Sequence, residues 1–148
     1  MRFCDTSVVI SWLLEDSHSV QADAWLSDHA TPLCISSLVE VEARNRLRNL
    51  TLRGDLSEDA AREAQHSLSL LLTQGPLRRH HLRDTKSLAA ESLRLLTYFS
   101  PGIPHGTLDV LHVASARLLK AAAFLTFDAN QRRLALAAGM DAPLPLHQ

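Results

Sequence analysis

Aromatic residues are scarce: two Trp, one Tyr and four Phe in 148 residues. Only Trp12 and Trp25 are large enough to act as stacking platforms. Both fall at apolar positions of expected helices, which reads as core or as contact with another chain. Cysteine is limited to Cys4 and Cys34, each inside a short apolar run. That pattern indicates buried free thiols rather than a disulfide or a metal pair. No apolar run approaches the roughly 18 residues of a membrane span. The opening MRFCDTSVVISWLLED carries Asp5, Glu15 and Asp16 and no small-residue cleavage site, so neither a span nor a signal peptide is expected and the expected location is cytoplasmic. Repeats, low-complexity tracts and Pro/Gly-rich linkers are also missing, which leaves one domain over residues 1–148. A strong charge of either sign is lacking too. The net charge is −1, from 15 basic and 16 acidic residues, and it argues against a general nucleic-acid binder. If four acids converge on a metal, however, the remainder carries −1 + 4 = +3, nearly all its cations being Arg. The planar Arg fork suits phosphate.

What is present is an alternation of short apolar strands and helices. Strands are expected at Arg2 to Asp5, Pro32 to Ile35, Leu77 to His80 and Ala122 to Thr126, with a last short one reaching Leu144. Helices are expected over Thr6–Leu14, Val20–Ala30, Ser37 to about Leu52, Glu58–Leu72, Thr85–Phe99, Leu108–Leu119 and Ala129–Ala138. Ser100-Pro101-Gly102-Ile103-Pro104 is the clearest loop, and Gly139 reads as a helix C-cap. The alternation specifies an α/β protein with a mainly parallel sheet of about five short strands. Ligands in such sheets bind beyond the carboxyl ends of the strands, where Asp5 and Asp128 fall.

Each acid there has a structural reading and a chemical one. Asp5 suits an N-cap, and Asp128-Ala129-Asn130-Gln131 suits a capping box. Asp109 lies in the first turn of its helix, where the macrodipole favours a carboxylate, but Thr107 already offers an N-cap. Glu40 stands three residues after Ser37, as in a capping box, whereas Glu42 has only Arg46 four residues on as an ion-pair partner. Together Asp5, Glu42, Asp109 and Asp128 form a set that repels itself unless a cation intervenes, and oxygen-only ligands select Mg²⁺ or Mn²⁺.

Cys4-Asp5-Thr6-Ser7, Ile35-Ser36-Ser37-Leu38 with Glu42, Leu108-Asp109-Val110-Leu111-His112-Val113-Ala114-Ser115-Ala116 and Leu125-Thr126-Phe127-Asp128 resemble, in order, the motifs of PIN-domain ribonucleases, with VapC-like toxins as the nearest kin. The resemblance implies a three-layer α/β/α sandwich that gathers Asp5, Glu42, Asp109 and Asp128 around one or two Mg²⁺ or Mn²⁺ ions. Ser7 and Thr126 would support those carboxylates. It further implies endonucleolytic RNA cleavage leaving 5′-phosphate and 3′-hydroxyl ends, a homodimer, and a VapB-like antitoxin whose tail lies in the active-site groove. Relatives often carry Arg a few residues before the third acid, and this chain has His105, which would make phosphate contact there pH-sensitive.

The remaining polar groups are weaker candidates. Arg46, on the helix of Glu42, is the expected neighbour of a substrate phosphate, while Arg78-Arg79-His80-His81-Leu82-Arg83 reads as a solvated loop or an RNA-backbone contact. The eight histidines lack zinc spacing, and His112 reads as a packed histidine or a partner of the site. A phosphoacceptor receiver domain would need an Asp ending the third strand and a strand-terminal Lys; LRRH has no acid, and Lys86 and Lys120 end no strand. A silent PIN-fold binding module and a PIN nuclease of RNA processing without an antitoxin remain as alternatives.

Overall fold

The computed structural model describes residues 1–28, 31–99, 102 and 104–143. Four parallel strands, β1 (Arg2–Cys4), β2 (Leu33–Ser36), β3 (Leu77–His80) and β4 (Ala123–Leu125), form one sheet in the order β3-β2-β1-β4. Between and after them run α1 (Thr6–Leu13), α2 (Ser19–Ser27), α3 (Ser37–Leu52), α4 (Glu58–Thr73), α5 (Thr85–Tyr98), α6 (Thr107–Leu118) and α7 (Ala129–Ala137). Helices α1 to α4 pack among themselves and α5 to α7 likewise, giving the layers of an α/β/α sandwich.

The elements form where local chemistry directs them. Strands β1, β2 and β4 are almost uniformly buried, which is why they read as apolar runs without alternation. Phe3 and Phe124, neighbours on β1 and β4, stack with centroids 5.6 Å apart and planes at 10°. Burying each such ring contributes roughly 1.5–3 kcal/mol. Trp25 is buried in the core, while partly buried Trp12 donates its indole N–H to Ala22 O at 2.6 Å, tying α1 to α2. Cys4 and Cys34 are buried free thiols, as expected. Ser57 caps α4 and Asp84 caps α5 through side-chain acceptors. Gly139, at φ +77°, ends α7 in the left-handed region.

Three details differ from the sequence expectation. The last strand reduces to one parallel bridge, Ala123 to Asp141, and Leu144 lies outside the described residues. Helix α2 ends at Ser27, and Ala30 lies outside them too, as do Ser100, Pro101 and Ile103 of the expected loop. The cap of α3 is Ser36, not Ser37, so Glu40 closes no capping box. Glu40 instead pairs with Arg44 and Arg79; desolvation of its carboxyl is outweighed by these two guanidinium hydrogen bonds, which hold it below the ordinary range. Arg79 and His81, which bonds Ser37 Oγ at 2.7 Å, thereby spend part of the basic run on structure.

Candidate active site

The strand order reverses beside β1: the chain steps outward through β2 and β3, then returns to place β4 on the other flank. Loops leaving β1 and β4 therefore part company and open a crevice at the carboxyl edge. Asp5 N–H donates to Leu125 O at 3.1 Å, extending the ladder by one residue and setting Asp5 beside Thr126.

Asp5 is fully buried and satisfied. Its Oδ1 accepts from Ser7 Oγ at 2.6 Å and from Val8 N at 3.1 Å, the N-cap bond of α1, and Oδ2 accepts from Thr126 Oγ1 at 2.7 Å. Each hydroxyl works twice. Thr126 Oγ1 also accepts Asp128 N at 2.9 Å, and Ser7 Oγ accepts Phe127 N at 2.9 Å. The two hydroxyls thus bolt Asp5 to the turn between β4 and α7. Burial pushes the Asp5 carboxyl up, and the bonds from Ser7, Thr126 and Val8 oppose that rise without cancelling it.

Glu42, on the second turn of α3, is partly buried. Its Oε2 accepts from Thr6 Oγ1 and meets His112 Nε2 at 2.6 Å, rather than forming a surface pair with Arg46. His112 is wholly buried, and its Nδ1 has no partner among the described residues. The proton therefore belongs on Nε2, where the carboxylate receives it, because a bare ring nitrogen costs less than an orphaned N–H. The His112 hydrogen bond, opposed by partial desolvation and aided by Thr6, holds Glu42 below the usual carboxylate range.

Asp109 departs from expectation. The N-cap of α6 is Gly106, with Thr107 the first helical residue, so Asp109 stands at the third helical position. Its Oδ2 reaches back to accept Gly106 N at 2.9 Å, a capping role that the sequence had assigned to Thr107. A Cβ on Gly106 would sit 2.9 Å from that same oxygen, which explains glycine there. Asp109 Oδ1 accepts from Gln131 Nε2 at 2.9 Å. Asp128 caps α7 through Gln131 N at 2.8 Å, but the expected return bond of Gln131 is not made: the Gln131 amide serves Asp109 and Thr126 serves Asp128 N.

All four acids line one cleft of about 390 Å³, together with Arg46, Asp16, His18, Phe127 and Gln131. His105 does not line it; both its ring nitrogens are buried without partners among the described residues. A larger cavity of about 530 Å³ between α3 and α4 contains several Arg but only one acid, Glu58, and so lacks the converging carboxylates.

Among the described residues no three His, Cys, Asp or Glu side chains stand close enough to enclose a metal ion. The acids are instead clasped by protein donors. Their chemistry still suits a hard cation: four carboxylates share the cleft, and Gln131 Oε1, also in its lining, is buried without a partner.

Sequence reasoning passed over Thr6 and Gln131 and undervalued His112. The signal for His112 was its place three residues after Asp109, on the same helical face; Thr6 carried none beyond adjacency to Asp5, and Gln131 only its place in the capping-box pattern after Asp128.

A parallel α/β/α sandwich with an acidic cleft at its strand-order reversal defines an α/β class of crevice-bearing proteins, and the chain can be assigned within it. The PIN domain family model matches residues 2–136, and the chain belongs to that family. Its fold is similar to that of VapC20 from Mycobacterium tuberculosis, described as a sarcin–ricin loop cleaving toxin, with 17% identity, TM-score 0.69, and 95% of this chain and 96% of that one covered. It is also similar to FitAcB from Neisseria gonorrhoeae (20% identity, TM-score 0.67, 100% of both chains). VapBC2 from Rickettsia felis, bound to a DNA fragment from its promoter, is a third (15%, 0.69, 96% of both chains). No curated protein sequence gives a significant match. No helix among the described residues is long and apolar enough to cross a membrane.

Proposed function

We propose that the chain is an endoribonuclease that uses Mg²⁺ or Mn²⁺ to hydrolyse RNA phosphodiester bonds, and that it is the toxin of a toxin–antitoxin pair. The observation that carries this reading is the presence of Asp5, Glu42, Asp109 and Asp128 on one cleft at the carboxyl edge of β1 and β4. PIN family membership and the fold likeness to toxins and toxin–antitoxin complexes support it. A divalent cation held by these carboxylates would lower the pKa of a bound water and offset charge developing on the phosphate and leaving oxygen.

The chain's own residues then have distinct tasks. Ser7 and Thr126 fix Asp5, so its carboxylate cannot swing with the substrate. Glu42, kept ionised by His112 and Thr6, is suited to holding positive charge rather than to taking a proton. Arg46, exposed in the cleft lining, offers its guanidinium to a phosphate. In the reaction a water oxygen bonds to phosphorus, the bond to the 3′ oxygen breaks, and that oxygen takes a proton, leaving 5′-phosphate and 3′-hydroxyl ends. A VapB-like antitoxin would block the same acidic groove, and the working form would be a homodimer.

The test is cleavage of a single-stranded RNA pool by the purified, antitoxin-free protein in Mg²⁺ or Mn²⁺, against EDTA and Asp109→Asn. Cutting that needs the ion and the aspartate is expected. Absence of both cutting and metal-induced stabilisation would leave a silent PIN-fold binding module. A small open reading frame beside the gene decides between a toxin and an RNA-processing nuclease.

A further inference from the structure

Beside the acids, the cleft wall is made of stacked rings. His18, in the turn before α2, lies over Phe127 with centroids 4.3 Å apart and planes at 12°. Phe127 also stacks on Trp25, at 5.2 Å and 16°. Phe127 is thus shared by both pairs, and the column runs from buried Trp25 to half-exposed His18. His18 and Phe127 line the cleft that holds the four acids.

The column is rigidly referenced to those acids. Phe127 lies in sequence between Thr126 and Asp128, and its N–H donates to Ser7 Oγ, the hydroxyl that also holds Asp5. The His18 turn is equally fixed. Asp16 Oδ1 accepts His18 N at 2.7 Å, Asp16 Oδ2 accepts Ser11 Oγ at 2.8 Å, and Asp16 N donates to Ser19 Oγ at 2.9 Å. A ring ordered before binding spends little conformational entropy when a second flat group settles on it. Every nucleobase presents such a flat face, and stacking on aromatic side chains is a common way to hold unpaired RNA. The tryptophans do not serve: Trp25 is the buried inner end of the column, and Trp12 does not line the cleft.

We propose that His18, backed by Phe127 and Trp25, is a base-stacking platform that seats a nucleobase of single-stranded RNA next to the scissile phosphate. The inference rests on the nuclease reading above and adds a subsite to it. Its role is binding and positioning, so His18 sets which nucleotide lies over the carboxylates without touching the reacting atoms.

The experiment uses the full chain carrying Asp109→Asn to prevent turnover, with Mg²⁺ present. The probes are short single-stranded oligoribonucleotides, each with 2-aminopurine at one position. His18→Leu keeps an apolar group over Phe127 but removes the flat face, and His18→Tyr retains it. Fluorescence quenching is expected at one position, kept in His18→Tyr and lost in His18→Leu, with RNA binding by the Leu variant weakened about 5- to 150-fold. In the cleaving protein the same loss should raise KM more than it lowers kcat. Equal quenching and affinity in the Leu and Tyr variants, while the parent protein cuts RNA, would overturn the platform alone. If the parent protein neither binds nor cuts RNA, the nuclease reading fails and the platform with it.

Discussion

Thr126 offers the sharpest test of how this site is held. Replacing it with Val keeps the shape but removes a hydroxyl that donates to Asp5 Oδ2 at 2.7 Å and accepts Asp128 N at 2.9 Å, at a position only 1% exposed. A hydrogen bond to a charged group contributes about 1.5–3 kcal/mol, and stranding a buried N–H costs about 1–3 kcal/mol. Together they predict a loss of about 2.5–6 kcal/mol in the metal-free protein. At about 2–4 °C per kcal/mol for a chain of this size, Tm should fall by about 5–24 °C. Thr126→Ser, which keeps the hydroxyl, should cost only about 1 kcal/mol for the lost methyl. Urea unfolding followed by tryptophan fluorescence separates the two, and metal-dependent cleavage should drop about 10- to 100-fold in Val only, the usual cost of loosening a ligand's support. Coincident unfolding midpoints for Val and Ser would refute the idea that this hydroxyl holds the two aspartates in place.

Other expectations follow from neighbouring contacts. Gly106→Ala should displace the Asp109 carboxylate, since the added Cβ lands 2.9 Å from Oδ2, and should weaken cleavage far more than thermal stability, as paired activity and melting measurements would reveal. His112→Ala opens a hole under Glu42 and should cost about 2–4 kcal/mol in urea, with His112→Gln recovering part by donating to the carboxylate. Asp5 and Glu42 have opposite pH signatures. Glu42, held low, contributes stability that is present above the unfolded value near about 4.3 and lost as pH falls through its folded value. Asp5, pushed up by burial, takes a proton first when folded, so the metal-free protein gains stability as pH falls through the folded Asp5 value toward about 3.9. The advantage of Asp5→Asn over the parent in urea should accordingly grow as pH rises above about 4; a difference that stays flat with pH would show that Asp5 is not strained by its burial. Finally, Mg²⁺ at a hundredfold excess over its Kd should add about 2.7 kcal/mol to the parent, and less to Asp109→Asn.

Strands β1, β2 and β4 were legible because short parallel strands buried on both faces need continuous apolar residues, whereas β3, with two exposed Arg, was marked by Gly75-Pro76 just before it. Positions of the acids were legible for a related reason: Asp5 and Asp128 follow strands that pair in register, so their meeting depends on topology alone. Caps were less so. Gly106 rather than Thr107 is the N-cap of α6, because Asp109 can satisfy the Gly106 N–H from inside the helix, a choice that depends on one side-chain torsion. The partnership of Glu42 with His112 spans 70 residues and two elements, and no local pattern encodes it. The His18 platform was invisible for the same reason: its neighbour Phe127 lies more than a hundred positions away along the chain.

The bond from Glu42 to His112 also has a bearing on how such proteins age. It fastens α3, in one helical layer, to α6, in the other, across the open edge of the sheet. Asp5, Asp109 and Asp128 are similarly occupied in starting helices. A gene copy released from any demand for catalysis would therefore still be under pressure to keep Glu42, Asp109 and Asp128, since discarding them loosens the protein itself, whereas the strained Asp5 would be the first to go. Loss of Asp5 with the other three acids kept would then mark a retired member of such a lineage.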